Sequence, residues 1–150
     1  MERQERREQI LNILAAGIRK VLLNTVPKPE ELQEIRMRLG QPLRVVRGKE
    51  EIVLRSGTEP YIVTKEELRE TMDYISHYSL YAYENELRQG FVTVEGGHRV
   101  GVAGKVIMEK ERVKNIQYIS SLNIRVSHEV LGCADRLIPY ICLLYTSPSP

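Results

Sequence analysis

The sequence predicts an α+β fold, an antiparallel, largely meandering sheet with helices packed on one face. Three observations predict it. Runs of period-two alternation are joined by hairpin-length turns, which makes neighbouring strands antiparallel. Two longer stretches carry apolar residues at helical spacing, one ahead of the first strands and one between two groups of strands. Each pattern presents a single apolar face, and two such layers bury their faces against each other.

In chain order, residues 1–8 are densely charged and read as a solvated, fraying helix start. From Gln9 to Leu23, Leu11, Leu14, Ile18, Val21 and Leu22 recur every three or four residues and form one helical stripe. The stripe packs on its own domain or on another subunit. Pro27 and Pro29 end the element, and Pro29 suits the first turn of a short helix, PEEL. Glu34 to Leu39 alternates, with Ile35, Met37 and Leu39 opposed to Glu34, Arg36 and Arg38. Gly40-Gln41-Pro42 turns the chain into Leu43 to Val46, and Gly48-Lys49-Glu50 turns it again into Ile52 to Leu54. This is a three-stranded meander along which Arg36, Arg38, Arg44, Arg47 and Arg55 are distributed. Such a row suits phosphate or nucleic acid. The commoner arrangement is a solvated face interleaved with acids, and Glu34, Glu50 and Glu51 are at hand.

Thr64 opens the next helix, and Glu67 three residues on completes a capping box. Leu68, Met72 and Ile75 give this helix one buried face. Ser76 to Ser79 interrupts it, and a second helix runs from about Leu80 to Gln89. Tyr74, Tyr78 and Tyr81 fall at helical spacing. Stacking on bases is one use for such a set, and core packing with hydroxyls at the rim is the commoner one.

The chain is organised around Glu86 to Lys105, ELRQGFVTVEGGHRVGVAGK. The helix end stops at Gly90, and Phe91 to Val94 reads as a strand. Gly96-Gly97 supplies the positive-φ positions of a two-residue hairpin turn. On the return strand, Arg99 to Met108, Val100, Val102, Val106 and Met108 share one face with Gly104, while Gly101, Ala103 and Lys105 share the other. Small residues at Gly101, Ala103 and Gly104 leave room for a packed helix or for another domain. Glu109-Lys110-Glu111-Arg112 is a charged turn, followed by strands at Val113 to Ile119 and Leu122 to Val126. Beyond Gly132, Cys133 to Ile141 reads as a short helix that bends or ends at Pro139. The last nine residues, CLLYTSPSP, share no pattern with what precedes them. Residues 142–150 resemble translated sequencing-adapter read-through, the alternative being a genuine Pro/Ser-rich linker, and are expected to add nothing to stability.

Composition excludes several classes. The 150 residues are 42% hydrophobic and 28% charged, ordinary values for one globular domain, expected here at residues 1–141. A net charge of +2 gives no global field toward nucleic acid or anionic membrane. No apolar run approaches the ~20 residues of a membrane-spanning helix, so a cytoplasmic location is the simplest expectation. Cys133 and Cys142 are too few for a disulfide framework, and no Cys/His spacing suits a metal. A P-loop needs G-x-x-x-x-G-K-[ST] so that backbone amides cradle phosphates and a hydroxyl holds magnesium. Gly104-Lys105 has Arg99 in place of the first glycine and Val106 after the lysine; Gly48-Lys49 has Leu43 and Glu50 there. The chain is therefore expected not to hydrolyse ATP, and no catalytic residue is assigned. From Asn85 to Arg125, seven Lys/Arg face four acids, so the basic excess of the chain is local to this region.

YSLYAYENELRQGFVTVEGGHRVGVAGKV, followed by ISSLNIRVSHEVLGCADRLIPYI, resembles the N-terminal region of the stage III sporulation protein AA family. The resemblance covers about Leu32 to Ile141. It implies the N-terminal oligomerisation and regulatory domain of an ATPase related to secretion and pilus motor ATPases. Such an ATPase would be a ring-forming cytoplasmic homo-oligomer, working with membrane-associated channel proteins between mother cell and forespore. Its full-length form would use ATP and magnesium, while this region would hold no cofactor of its own. In related motors, arginines of the N-terminal domain and linker reach the nucleotide held by the next domain. Arg99 and Arg125 lie on the two strands that resemble that region, and arginine's planar fork suits phosphate. A surface salt bridge of Arg99 with Glu95 is the alternative for that side chain. The alternative function is a single-stranded nucleic-acid-binding module, since related ATPases occur fused to single-strand-binding domains and the local basic excess permits it.

Overall fold

Six strands form one antiparallel sheet whose inner face is built from the apolar half of each alternating run. The computed structural model describes residues 2–109 and 112–128. Two helices, α1 (Glu2–Asn12) and α2 (Ala16–Thr25), and a 3₁₀ turn (Pro29–Glu31) lead into β1 (Glu34–Arg38), β2 (Arg44–Arg47) and β3 (Glu50–Val53). A two-residue ladder, β4 (Arg55–Ser56) with β5 (Glu59–Pro60), precedes helices α3 (Lys65–Tyr78) and α4 (Tyr83–Gln89). β6 (Phe91–Val94), β7 (His98–Glu109) and β8 (Arg112–Arg125) follow.

The strand order is β3-β2-β1-β8-β7-β6, with every pairing antiparallel. Each half of the chain thus folds as a three-stranded meander. The first strand of one half and the last of the other join them, with Glu34 opposite Arg125 and Arg38 opposite Ser121. Ile35, Met37, Val45, Val92, Val94, Val100, Leu122 and Ile124 are buried, in one cluster with Leu14, Ile18 and Leu22, Leu68, Met72 and Ile75, and Leu87. The α+β class, with helices on one face of an antiparallel sheet, is the one the sequence predicts.

Several element boundaries differ from the sequence reading, each for a physical reason. The expected single helix Gln9–Leu23 is broken at Ile13-Leu14-Ala15. Its new N-terminus is capped from another element: the Ala15 N–H donates to Thr71 Oγ1 at 3.1 Å and the Ala16 N–H to Glu70 Oε2 at 2.9 Å. The break turns the apolar stripe so that Ile13, Leu14 and Ala15 are all buried. Helix α3 continues to Tyr78, past the expected interruption at Ser76, and α4 starts at Tyr83 instead of Leu80. The intervening residues pair with the outer edge of β6: Leu80 N–H donates to Thr93 O and Glu95 N–H to Tyr78 O, both at 2.9 Å. That edge is therefore covered. The two strands expected at Val113–Ile119 and Leu122–Val126 are one, β8, which absorbs a bulge at Ser120. PEEL forms a 3₁₀ turn. The helix read at Cys133–Ile141, the tail from Cys142, and Lys110 and Glu111 of the charged turn lie outside the described residues.

The capping box at Thr64 is present in both directions. Glu67 N–H donates to Thr64 Oγ1 at 3.2 Å, and Thr64 N–H donates to Glu67 Oε1 at 2.9 Å. The other Glu67 oxygen accepts the Tyr61 hydroxyl, beside Gly17 of α2. Thr64→Ala is expected to cost about 1 kcal/mol, the usual worth of an N-cap, read as a lowered urea midpoint.

Candidate functional site

Because side chains alternate across a strand, the residues between the buried ones share the outward face of the sheet. Register then sets their neighbours. Arg99 of β7 stands directly opposite Arg125 of β8, and Arg125 directly opposite Glu34 of β1. The two arginines singled out in the sequence are thus adjacent, one strand spacing apart. Arg125 is 76% exposed, with its Nε 3.8 Å from Glu34 Oε2, a loose pair. The Arg99 guanidinium lies 5.6 Å from the centroid of the Phe91 ring on β6. It makes no ion pair with Glu95 among the described residues. Glu34 also accepts from Arg36 Nε at 2.8 Å, and that bond, together with Glu51, raises the Arg36 guanidinium above its ordinary pKa.

The glycines occupy separate settings. Gly96 and Gly97 have φ of +96° and +83°, in a loop of three residues (Glu95, Gly96, Gly97), since Val94 pairs with His98. The expected two-residue turn is one residue longer. A Cβ at Gly101 would meet nothing nearer than Asn123 at 3.9 Å, so this outward position has room. A Cβ at Gly104 would instead fall on the β8 backbone, within 2.9 Å of Ile119 Cα. Gly104 sits at the bulge, where β7 steps from Ala103 to Gly104 while β8 passes from Ser121 to Ile119. Tyr74 and Tyr78 pack against the core and Tyr81 is 64% exposed, so the three tyrosines do not share one surface.

The profile of the family described as "Sporulation stage III, protein AA" matches residues 4–146. A curated relative, "Stage III sporulation protein AA" of Bacillus subtilis (strain 168), is 36% identical over 135 residues. The chain belongs to the stage III sporulation protein AA family. The alignment takes in 89% of this chain and 42% of that relative, so the chain spans less than half the relative's length.

One member of this region of the family fold escaped sequence reasoning. His98, 1% exposed, ties three segments together. The Ser127 N–H donates to its Nδ1 at 2.9 Å, which leaves the proton on Nε2 to donate to Gln9 Oε1 of α1, also at 2.9 Å. Burial first, then the charges of Arg6 and His128, lower its pKa to about 4, so it is neutral at pH 7. His128 in turn contacts the Leu32 carbonyl through Nε2 at 2.7 Å. A signal for His98 was available: extending the alternation of Val100 and Val102 back by one step turns it inward. Among the described residues there is no group of three or more His, Cys, Asp or Glu that suits a metal ion. No helix among them is long and apolar enough to cross a membrane.

Proposed function

We propose that this chain is the N-terminal domain of a stage III sporulation ATPase. In that reading it forms part of a ring-shaped homo-oligomer on the cytoplasmic side of a sporulation channel. Arg99 and Arg125 would meet the phosphates of a nucleotide held by an ATP-binding domain that this chain does not contain. The observation that carries the reading is the direct register of Arg99 with Arg125 on the outward face. Two like charges opposite each other on neighbouring strands weaken the pairing, and an intervening anion reverses the sign of that effect. The two residues stand ~5 Å apart at the backbone, one strand spacing, which lets two arginine side chains turn to the oxygens of one polyphosphate. The family's resemblance to secretion and pilus motor ATPases, where arginines of this region reach nucleotide, supports the same assignment.

The test uses the full-length protein with ATP and magnesium. Arg99→Ala and Arg125→Ala are each expected to lower phosphate release at least tenfold while light scattering reports an unchanged assembly. Unchanged turnover in both variants would remove the proposal. The 150-residue chain alone is expected to release no phosphate, since it lacks a P-loop. Steeply salt-dependent binding of single-stranded oligonucleotides by the chain would favour the nucleic-acid-binding alternative instead.

A further inference from the structure

The β1–β2 end of the outward face holds a second group of arginines. Arg36 and Arg38 lie two residues apart on β1 and so project to the same side. Arg44 stands directly opposite Arg36 on β2. With Gln41, Pro42 and Glu51 they line a small cleft of about 50 Å³. The charge of Arg36 is already matched: its Nε donates to Glu34 and its Nη1 to Glu51. Arg38 and Arg44 have no ion-pair partner among the described residues. Moreover, the Nε of Arg44 is buried and has no hydrogen-bond acceptor. Buried N–H groups are almost always bonded, so Arg44 at the wall of this cleft keeps donor capacity that the described residues do not use.

We propose that the Arg36, Arg38 and Arg44 cleft binds a phosphoryl group. Two uncommitted guanidinium charges match a phosphate of charge about −1.5 to −2, whereas a carboxylate leaves one of them unanswered. Arg44 can present two parallel N–H donors to a tetrahedral oxyanion and Arg38 a further one from the neighbouring strand. The volume admits one phosphoryl group and leaves any remainder of the ligand over the sheet. The site is separate from Arg99 and Arg125, which lie on β7 and β8, and does not depend on the nucleotide reading of that pair. Free phosphate and the terminal phosphate of a nucleotide share the required chemistry.

Thermal unfolding and titration calorimetry of the 150-residue chain test this with potassium phosphate, ATP and potassium acetate at matched ionic strength. Phosphate and ATP are expected to raise the unfolding midpoint saturably, and acetate is not. Tighter binding of ATP identifies a nucleotide as the source and equal affinity identifies free phosphate; both support the site. Arg38→Gln with Arg44→Gln is expected to weaken phosphate binding at least tenfold, while Arg99→Ala leaves it unchanged. Should the double variant not fold, Arg44→Lys keeps the charge, removes the fork, and is expected to show the same tenfold loss with native circular dichroism. Equal stabilisation by acetate, undiminished binding in the Arg38 and Arg44 variants, loss of binding in Arg99→Ala, or affinity for oligonucleotide without affinity for phosphate would each overturn it.

Discussion

Gly104→Val is expected to destabilise the chain by about 2–4 kcal/mol, more than Gly97→Val in the hairpin loop. The cause is a backbone collision. An added Cβ falls on the Tyr118 carbonyl and lies 2.9 Å from both the Tyr118 carbonyl carbon and Ile119 Cα, none of which can rotate aside as a side chain would. Relief requires β7 and β8 to separate where Ser120 bulges, and Ser120 also bonds outward: its carbonyl accepts from Leu39 N–H at 2.9 Å, and its hydroxyl donates to Ala103 O at 3.1 Å. By contrast, Gly97→Val meets only Ser127 Oγ at 3.9 Å, and its cost, roughly 1–3 kcal/mol, comes from the positive φ alone. Gly101→Ala should be close to neutral. Urea denaturation of the three variants ranks them. A Gly104→Val chain as stable as the parent would return Gly104 to the role of a contact surface for another domain.

His98→Leu is expected to cost about 2–4 kcal/mol at pH 7, because it removes two buried hydrogen bonds and leaves Gln9 facing an apolar group. The effect is pH-dependent with a definite sign. The folded-state pKa of His98, about 4, lies below the ordinary 6.5, so the unfolded chain binds the extra proton between those values. The stabilisation is complete above pH 6.5 and is lost as pH falls toward 4, up to about 3 kcal/mol in all. The groups facing the ring, Arg6, His128 and Gln9, supply no carboxylate to hold an imidazolium. Measured in parallel, the stability gap between parent and variant should therefore narrow between pH 7 and pH 4. A gap that stays constant across that range would show that the ring titrates normally.

Local patterns were legible in the sequence because their physics is local. The capping box needs only Thr64 and Glu67, and the hairpin needs only its glycines and the alternation on either side. What escaped depends on partners distant in the chain. The break between α1 and α2 is capped by Glu70 and Thr71, more than fifty residues away, so no signal near Ala15 announces it. The bulge that Gly104 accommodates is formed by Ser120 of another strand. The site divides in the same way. Arg99 and Arg125 were recognisable as residues, but their adjacency exists only once β7 and β8 are aligned. Arg36, Arg38 and Arg44 were visible as a row, while the unmatched charge of two of them follows from which acids the register brings near.

The joining of the two meanders through β1 and β8 also sets the order in which the sheet is made during synthesis. Glu34 and Arg125 are 91 positions apart, so at roughly 5–20 residues per second the ribosome needs about 5–20 s to deliver the partner of β1. Until then β1 is the bare margin of a three-stranded sheet, open to pairing with any other extended chain. Its sequence, EIRMR, puts Arg36 and Arg38 on that margin, and charge is a standard guard against such encounters. The arginines on β1 are thus placed where charge would guard a half-sheet formed before its missing neighbour arrives.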